Sequence, residues 1–566
     1  MESTRFTPHI TGPASTTGQQ ESTEDTGSVQ RMTGGQALIH SLYEEGVRVV
    51  FGLPGVQMYH AVIPILDYPD MKFITTRHEQ ATTYMADGYA RASGKVGVAM
   101  VVPGPGLQNA SAGITNAYAA SAPVLIIAGQ INRDRISKNI GVLHEVNDQL
   151  DIVRPITKWQ ARVMEATNIP SAVQESFYQL RTGRPRPVEI EMPPEALAEV
   201  TDVASYQPAD IPSPTIDGEA IEEAAAVIAG SRNPVIWAGG GIHASGASDE
   251  LLKMAEYLQI PVLTTPEGKG AISDRHYLSL GAPQGRSTGE SKDPLRDFFR
   301  TCDVVLAVGT RFATANASSS HRVVQIDVDP EEIGRNNQNT LGIEGDARQA
   351  LEQLFEAVKA LTGPRQSRKG EFDRIRADRH DNPANQVEPQ ASYVRALRES
   401  IPDDGILVAD MTQVAYYARA RFQTYNPRSY FTSSYSGNLG SAFPTALGVK
   451  VAMPDKAVVS ISGDGGFLFN SQELATAAQF GINVVAVVFN DQAYGNVKRD
   501  MKELFDGKAL GVELTNPDFM KLADAYGVVG MRADGPEGLA KALKDAIDLD
   551  KPVLIEVPVG PMPSPF

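Results

Sequence analysis

Residues 457–491 read AVVSISGDGGFLFNSQELATAAQFGINVVAVVFND, and this stretch decides the fold. Its two apolar runs, 457–461 and 484–489, have the length and valine content of buried strands. The residues between them, about 471–480, predict a helix. A strand, a helix and a second strand in this order form a right-handed crossover between parallel strands, so the stretch predicts a parallel α/β sheet.

Polar residues follow each of the two predicted strands at its carboxyl end. Asp464 lies within Gly463–Gly466, and Asn490 and Asp491 follow the second apolar run. A crossover unit brings both strand ends to the same edge of the sheet, where open α/β folds bind ligands. Glycines let backbone N–H groups approach an anion, and Mg²⁺ prefers oxygen ligands together with a diphosphate. The pattern therefore favours a metal–diphosphate site over two solvated loops.

The same alternation of apolar strands and helical segments recurs along the chain and predicts three α/β domains with parallel sheets. A disordered tail is expected at 1–30 and linkers at 206–213 and 365–388, from their composition. The three domains are placed at 31–195, 215–362 and 390–560. The predicted strands are 48–51, 97–102, 124–128, 188–191, 234–238, 261–264, 304–308, 323–326, 405–408, 457–461, 484–489 and 553–557.

Composition excludes several classes of function. The 566 residues include 51 Lys and Arg against 68 Asp and Glu, which gives a net charge of −17. Such an acidic chain has no general electrostatic reason to bind nucleic acid or an anionic membrane. No apolar run reaches the roughly 18 residues that a membrane helix needs. The single cysteine, Cys302, excludes an internal disulfide and fits a reducing compartment, so we expect a cytoplasmic protein.

The spacing of 27 residues from Asp464 to Asp491, after Gly463, resembles the thiamine diphosphate motif of the acetolactate synthase and pyruvate oxidase superfamily. The resemblance spans about Met32 to Pro558. It implies three Rossmann-like domains: one that binds the pyrimidine (PYR), a middle domain, and one that binds the diphosphate (PP). The other segments that carry it are Arg77–Gln80 with Ala86–Arg91, Pro103–Gly106 with Asn109, Gly437–Gly440 with Pro444, Ala446 and Gly448, and Ile326–Gly334.

The resemblance also implies roles for individual residues. Glu79 would contact N1′ of the aminopyrimidine and stabilise the imino tautomer, which takes the proton from thiazolium C2. The carbonyl of Gly437 would accept from the 4′-amino group, and Leu439 would hold the cofactor in its bent conformation. The remaining cofactor-binding residues that the family implies are Thr412, Gln413, Val414, Gly463, Asp464, Gly465, Gly466, Asp491, Ala493, Tyr494, Gly495, Asn496 and Val497.

The metal ligands implied by the family are Asp464, Asp491 and the carbonyl of Ala493, and the metal is Mg²⁺. The sequence departs from the family here, because the usual pair is Asn-Asn and this chain has Asn490 followed by Asp491. Aspartate is an acceptable Mg²⁺ ligand, but it adds a negative charge beside the diphosphate. Asn490 therefore remains the alternative ligand.

Three residues are implied on the substrate side, as candidate catalytic groups. Gln57 matches the loop over the thiazolium, at a position where benzaldehyde lyase has a histidine. The block Pro155–Trp159 also resembles that lyase. Counting back from this block, Glu145 takes the position of an active-site Gln in acetolactate synthases, and His144 that of the Gln in benzaldehyde lyase. We expect one of the two to face the substrate, with an ordinary His–Glu pair as the alternative.

The middle domain leaves a nucleotide question open. Gly239–Ala244 fits a loose G-x-G-x-x-A pattern after a predicted strand. Related enzymes bind FAD, ADP or nothing in this domain. The family's FAD contacts include acidic residues near Gly309–Phe312, where this chain has Ala313, Thr314 and Ala315. A nucleotide-binding fold without a nucleotide is therefore favoured over FAD.

The combined expectation is a thiamine diphosphate- and Mg²⁺-dependent carboligase or lyase, which makes or breaks a C–C bond next to a carbonyl. A 2-oxo acid or an acyloin would be its small-molecule substrate. The alternatives are a 2-oxo acid decarboxylase or oxidase, a 2-hydroxyacyl-CoA lyase, and a relative without catalysis. Asn496 stands where acetolactate synthases have an apolar residue, which argues against strict pyruvate specificity. The family implies a homodimer or homotetramer with the cofactor at the subunit interface.

Overall fold

The computed structural model describes residues 29–212, 214–283, 293–313 and 320–565. It contains three six-stranded parallel sheets, one for each domain, which confirms the predicted fold class. The expected tail falls almost wholly on residues 1–28, outside the described residues, and Gln30 already begins the first strand. Among the described helices, none is long and apolar enough to cross a membrane.

The PYR domain has the strand order β3-β2-β4-β5-β7-β6, and β1 and β8 form a separate antiparallel pair. Its strands are β1 (Gln30–Thr33), β2 (Val49–Gly52), β3 (Lys72–Thr75), β4 (Gly97–Val101), β5 (Val124–Gly129), β6 (Trp159–Arg162), β7 (Val188–Met192) and β8 (Val200–Val203). Its helices are α1 (Gly34–Glu44), α2 (Tyr59–Val62), α3 (Glu79–Ser93), α4 (Pro105–Ala120), α5 (Gln149–Val153), α6 (Ile169–Arg181) and α7 (Pro194–Ala198).

The middle domain has the strand order β11-β10-β9-β12-β13-β14. Its strands are β9 (Val235–Ala238), β10 (Val262–Thr264), β11 (Ser279–Gly281), β12 (Val304–Val308), β13 (Arg322–Asp327) and β14 (Thr340–Glu344). Its helices are α8 (Gly218–Ala229), α9 (Gly241–Ser245), α10 (Ser248–Leu258), α11 (Pro294–Arg300) and α12 (Ala347–Leu361). The charged segment expected as a linker contains a further helix, α13 (Lys369–Asp381), which is anchored because Phe372 and Arg379 are buried.

The PP domain has the strand order β16-β15-β17-β18-β20-β19. Its strands are β15 (Ile406–Ala409), β16 (Tyr430–Thr432), β17 (Val458–Gly463), β18 (Val484–Asn490), β19 (Val529–Arg532) and β20 (Val553–Pro558). Its helices are α14 (Gln390–Ser400), α15 (Gln413–Arg421), α16 (Ala442–Ala452), α17 (Asp464–Phe467), α18 (Leu474–Phe480), α19 (Gly495–Leu504), α20 (Phe519–Ala525) and α21 (Gly535–Asp548).

The PYR and PP domains meet where α3 crosses α16. A Cβ atom added to Gly88 would lie 2.1 Å from the carbonyl oxygen of Thr445, and one added to Gly448 would lie 1.9 Å from that of Met85. Only glycine permits this distance between the two backbones. One apolar core includes residues from both helices and from both sheets, so the two domains share buried surface.

A buried pair of glutamates lies on β7, on the face opposite the core residues Val188, Ile190 and Met192. Glu191 accepts hydrogen bonds from Arg162, Gln130 and Gln149. Glu189 is fully buried, and within the described part of the chain neither of its carboxylate oxygens has a hydrogen-bond partner. Burial, and then the charge of Glu191, raise the pKa of Glu189 well above its usual value. The native state therefore favours the neutral form of Glu189.

We expect Glu189→Met to stabilise the protein, and the gain to grow with pH. A carboxyl whose pKa is raised by folding contributes stability at low pH that is lost as pH rises above its unfolded value. The wild type therefore loses stability relative to the variant between pH 5 and pH 8. Removing a buried polar group without a partner should contribute about 1–3 kcal/mol at either pH, and linkage should add up to about 1.4 kcal/mol for each pH unit over which Glu189 resists ionisation in the native state. Urea unfolding at both pH values measures this, and an equal effect at the two would contradict it.

Candidate active site

The predicted metal residues come together at the carboxyl ends of two neighbouring strands. β17 and β18 are paired in parallel, with Gly463 opposite Phe489, so Asp464 and Asp491 each follow a strand at the same edge of the sheet. Asp464 is 1% exposed and is the first residue of α17. Burial raises the pKa of Asp464, and burial together with the charge of Asp464 raises the pKa of Asp491 to about 6.

Two neighbouring carboxylates of this kind fit a divalent cation, which would offset their repulsion. Within the described ranges, no cluster of three or more His, Cys, Asp or Glu residues could hold a metal ion. A metal bound here would therefore need further oxygen ligands, such as a backbone carbonyl or a diphosphate. Ala493, the predicted third ligand, follows Asp491 closely, and its N–H donates to Asp491 Oδ1 over 3.3 Å.

The alternative ligand, Asn490, is already engaged on both sides of its amide. Its Nδ2 donates to Glu556 Oε1 over 2.8 Å, and its Oδ1 accepts from Asn516 Nδ2 over 2.9 Å. Asn516 Nδ2 also donates to Asp464 Oδ2 over 2.6 Å. Asn490 and Asn516 thus connect the ends of β17 and β18 with the buried side chain of Glu556. Asp491 takes no part in this network and lies close enough to Asp464 to feel its charge.

Glu556 and Asn516 are residues that sequence reasoning missed. Both lie far along the chain from the predicted motif and carry no motif of their own. Glu556 is on β20, next to β18, and accepts from Arg532 as well as from Asn490. The only signal in the sequence that could have pointed to Glu556 was its position within the apolar run of the predicted strand 553–557.

Gly495 is required by the geometry of the metal loop. A Cβ atom added there would lie 2.0 Å from Asp491 Oδ2 and 3.0 Å from Gln413 Nε2. Any side chain at this position would displace the Asp491 carboxylate. Gln413 in turn accepts at its Oε1 from Arg499 on α19, over 2.7 Å.

The predicted diphosphate loop begins α15. Thr412 is the residue before the helix and Gln413 its first residue, and both are almost fully buried. Val414 is wholly buried in the core. Gly465 and Gly466 lie in α17, so the predicted N–H donors come from the starts of two helices at this edge, which suits an anion.

The predicted aminopyrimidine loop is held by a buried carboxylate that the sequence did not reveal. Asp410, at the end of β15, accepts from the N–H of Gly440 over 3.0 Å and from the Ser462 hydroxyl over 3.2 Å. Burial raises the pKa of Asp410 to about 6. Leu439, next to Gly440, is 36% exposed, so it is not a core residue and is available to contact a bound group. Gly437 lies in the same loop with φ +66°.

Glu79 is the first residue of α3, and its carboxylate is oriented by α4. Asn109 Nδ2 donates to Glu79 Oε2 over 3.0 Å. The ideal Cβ position of Gly106, in the first turn of α4, is 3.8 Å from Glu79 Oε1. The two segments singled out in the sequence, Arg77–Gln80 and Pro103–Gly106, are therefore neighbours.

The substrate-side candidates separate into two groups. His144 Nδ1 lies 3.2 Å from Gln57 Oε1, and the neutral tautomer that donates to this oxygen carries its proton on Nδ1 and has Nε2 as an acceptor. Glu145 instead accepts from the N–H groups of Ile140, Gly141 and Val142. Although desolvation opposes it, these bonds hold the pKa of Glu145 below its usual value. Glu145 thus orders the loop that carries His144.

The start of α19 carries the remaining predicted pocket residues. Tyr494 precedes the helix, Asn496 accepts from Arg499, and Val497 is 46% exposed. No residue of α19 is buried, although the helix is amphipathic. The predicted pocket is therefore open on this side in the single chain.

Two N–H groups in the glycine-rich loop of the middle domain are already bonded within the fold. The N–H of Gly241 donates to the Gly309 carbonyl over 3.0 Å, and that of Gly239 to the Val308 carbonyl over 2.9 Å. These two donors are therefore not available to the phosphates of a dinucleotide such as FAD, and α9 is only five residues long. Ala313, Thr314 and Ala315 stand where the family's FAD contacts include acidic residues. Ala313 is among the described residues, and Thr314 and Ala315 lie outside them.

Comparisons with known proteins agree with this arrangement. Family models of thiamine pyrophosphate enzymes match all three domains: the N-terminal TPP-binding domain over 32–152, the central domain over 221–354 and the C-terminal TPP-binding domain over 410–557.

Curated relatives align along nearly the whole chain. A probable acetolactate synthase large subunit of Methanocaldococcus jannaschii is 36% identical over 554 residues, 94% of this chain and 92% of its own length. The acetolactate synthase large subunit of Lactococcus lactis is 33% identical, over 93% of this chain and 92% of its own length. The large subunit of acetolactate synthase isozyme 3 of Escherichia coli is 30% identical, over 92% of this chain and 93% of its own length.

The metal pair yields a test that separates Asp491 from Asn490. Asp491→Ala should abolish tight cofactor binding, because it removes an oxygen ligand from a metal that must screen Asp464 from the diphosphate. Asp491→Asn keeps one oxygen ligand and should retain most activity. Asn490→Ala should raise the Mg²⁺ requirement less than Asp491→Ala. Titration of activity with Mg²⁺ in the three variants gives the order, and a larger effect at Asn490 would make Asn490 the ligand.

Proposed function

The chain belongs to the thiamine pyrophosphate enzyme family, and on that premise we propose that it is a carboligase that breaks the C1–C2 bond of pyruvate, releases CO2 and transfers the remaining two-carbon unit to a second carbonyl compound. The observation that carries the proposal is the similarity, over more than nine-tenths of the chain, to acetolactate synthase large subunits. A regulatory relative without catalysis is disfavoured because Glu79 and Asp464 are both present.

Thiamine diphosphate, when bound, supplies a nucleophilic carbon that attacks a carbonyl group. Glu79 is proposed to hold a proton at N1′ of the pyrimidine, and Asn109 keeps the second carboxylate oxygen of Glu79 engaged. Asp464, Asp491 and the Ala493 carbonyl would hold Mg²⁺. Gly465, Gly466 and the start of α15 would bind the diphosphate through N–H groups.

His144 is proposed to accept a proton from a hydroxyl group of the reacting substrate. Gln57 fixes the tautomer of His144, because its amide oxygen requires the proton on Nδ1. The free Nε2 is then the atom that meets substrate. Glu145 acts on this site only by ordering residues 140–144 of its own loop.

The active unit is proposed to be a homodimer, or a tetramer made of two dimers. Several apolar side chains around the predicted cofactor site are exposed in the single chain: Tyr435 at 60%, Leu439 at 36%, Phe469 at 46% and Val497 at 46%. Exposed large apolar side chains gathered around a predicted site favour an interface there. A second copy would cover it and complete the site.

We expect the purified protein, supplied with thiamine diphosphate and Mg²⁺, to convert pyruvate into a carboligation product. A panel of pyruvate, glyoxylate, benzoin, oxalyl-CoA and a 2-hydroxyacyl-CoA tests the donor, with products identified by mass spectrometry. Release of acetaldehyde without any ligated product would indicate a decarboxylase, and cleavage of the CoA substrates a lyase.

Two variants accompany this assay. Glu79→Gln should keep the fold and most cofactor affinity but lose about 10²-fold or more in activity, since a key proton-transfer group is removed. His144→Ala should lower product formation while leaving cofactor affinity unchanged, because its contacts are with Gln57. Near wild-type turnover in Glu79→Gln would refute its assignment.

Light scattering should find a dimer or a tetramer for the cofactor-loaded protein. Covering the apolar side chains around the site gives the physical reason for association. Charged substitution at an exposed site, Val497→Asp, should weaken assembly, whereas Leu361→Asp, at an apolar residue at the end of α12, serves as a matched control. A fully active monomer would contradict the proposal.

A further inference from the structure

Glu473 is a buried carboxylate that the predicted site does not account for. It lies in the PP domain, nine residues after Asp464, and is fully buried. A buried carboxylate is costly unless its oxygens are hydrogen-bonded, so its partners show what it is for. Those partners lie in the PYR domain as well as in its own.

The carboxylate of Glu473 contacts the two residues just before Glu79. Glu473 Oε1 accepts from the N–H of Arg77 over 3.1 Å and from the N–H of His78 over 3.0 Å, and Oε2 lies 3.1 Å from the same Arg77 nitrogen. The Thr476 hydroxyl donates to Oε2 over 2.6 Å and fixes the rotamer of Glu473. These bonds span nearly four hundred residues of sequence.

The backbone that Glu473 holds is the start of α3. His78 is the capping residue of this helix, and its ring accepts from the N–H of Gln80 over 3.2 Å. Gln80 Nε2 donates to the carbonyl of Phe469 over 3.0 Å, which places a second bond from the same PP segment on the other side of Glu79. Glu79 is thus held between two contacts from residues 469–473.

The same PP segment also contacts the predicted cofactor loops. It begins at the end of α17, which carries Asp464, Gly465 and Gly466. Asn470 Nδ2 donates to the carbonyl of Gly440 over 2.7 Å, next to Leu439. Residues 469–473 therefore connect the loops expected to bind the cofactor with the backbone that carries Glu79.

We propose that Glu473 is a positioning residue for Glu79: by binding the N–H groups of Arg77 and His78, it fixes the distance and direction of the Glu79 carboxylate relative to the cofactor. The inference rests on the proposed role of Glu79. Proton transfer depends on sub-ångström placement, so loss of the contact should reduce the rate while leaving binding largely intact.

Two conservative variants separate the reach of Glu473 from its charge. Glu473→Gln keeps the length and one acceptor oxygen for both N–H groups, but removes the charge. Glu473→Asp keeps the charge but is one methylene shorter and cannot reach both N–H groups. We expect Glu473→Gln to stay within about threefold of wild type and Glu473→Asp to lose about 10- to 100-fold.

The readout is the exchange rate of the thiazolium C2 proton of bound thiamine diphosphate, measured by NMR without substrate. The dissociation constant of thiamine diphosphate, from calorimetry, and the unfolding midpoint are measured on the same samples. If Glu473 positions Glu79, Glu473→Asp should change cofactor affinity and stability little. If Glu473 only links the two domains, Glu473→Asp should lower both but leave the exchange rate of the folded, loaded enzyme intact.

Gln479→Ala is the matched control. Gln479 accepts from the Arg77 guanidinium over 2.7 Å, so the variant removes an inter-domain bond to the same residue but leaves its backbone N–H bound to Glu473. Its exchange rate should stay within about twofold of wild type.

Glu79→Gln serves as the reference for the role of Glu79. If it retains wild-type exchange, the proposed role of Glu79 fails. If it loses exchange and Glu473→Asp does not, the positioning role of Glu473 fails while that of Glu79 stands. An equal loss of exchange rate in Glu473→Gln and Glu473→Asp would also overturn the inference, because the length of the side chain would then not be what determines the exchange rate.

Discussion

The close crossing of α3 and α16 is the constraint on which the rest of the site depends. At Gly88 and Gly448 the two backbones approach to distances that no side chain would allow. This contact fixes the PYR sheet against the PP sheet. The bonds of Arg77, His78 and Gln80 to PP residues 469–473 depend on that fixed relation.

Around this crossing, buried carboxylates hold the functional segments. Asp410 binds the backbone N–H of Gly440, and Glu473 binds those of the residues before Glu79. Glu556 binds the side-chain amide of Asn490 at the end of β18. A carboxylate that accepts several N–H bonds is a strong and directional anchor in a low-dielectric interior. The result is a set of loops whose positions are set before any ligand binds.

Hydrogen bonds also give different roles to residues that are adjacent in sequence. His144 and Glu145 are neighbours, yet only His144 contacts Gln57, because Glu145 is used to order its own loop. Asn490 and Asp491 are also neighbours, yet Asn490 is bound to Glu556 and Asn516. In both pairs the hydrogen bonds of one residue leave the other free to meet a ligand.

The sequence by itself determined the fold class, because the twelve predicted strands are the four central strands of each sheet. Central strands are buried on both faces and therefore read as continuous apolar runs. The two edge strands of each sheet, such as Lys72–Thr75 and Val529–Arg532, escaped prediction, since most of them are partly exposed and have mixed composition.

Crossover geometry likewise placed Asp464 and Asp491 at one edge of the sheet, because it brings the ends of adjacent strands together, whereas Glu79 was singled out only by the family resemblance. Only the tertiary structure decided which residues support them. Asn516 and Glu556 bind Asn490, and Glu473 binds the N–H of His78, across separations of 26, 66 and 395 residues. A single buried polar residue in an apolar stretch has no periodicity, so its partner becomes visible only when the domains are packed together.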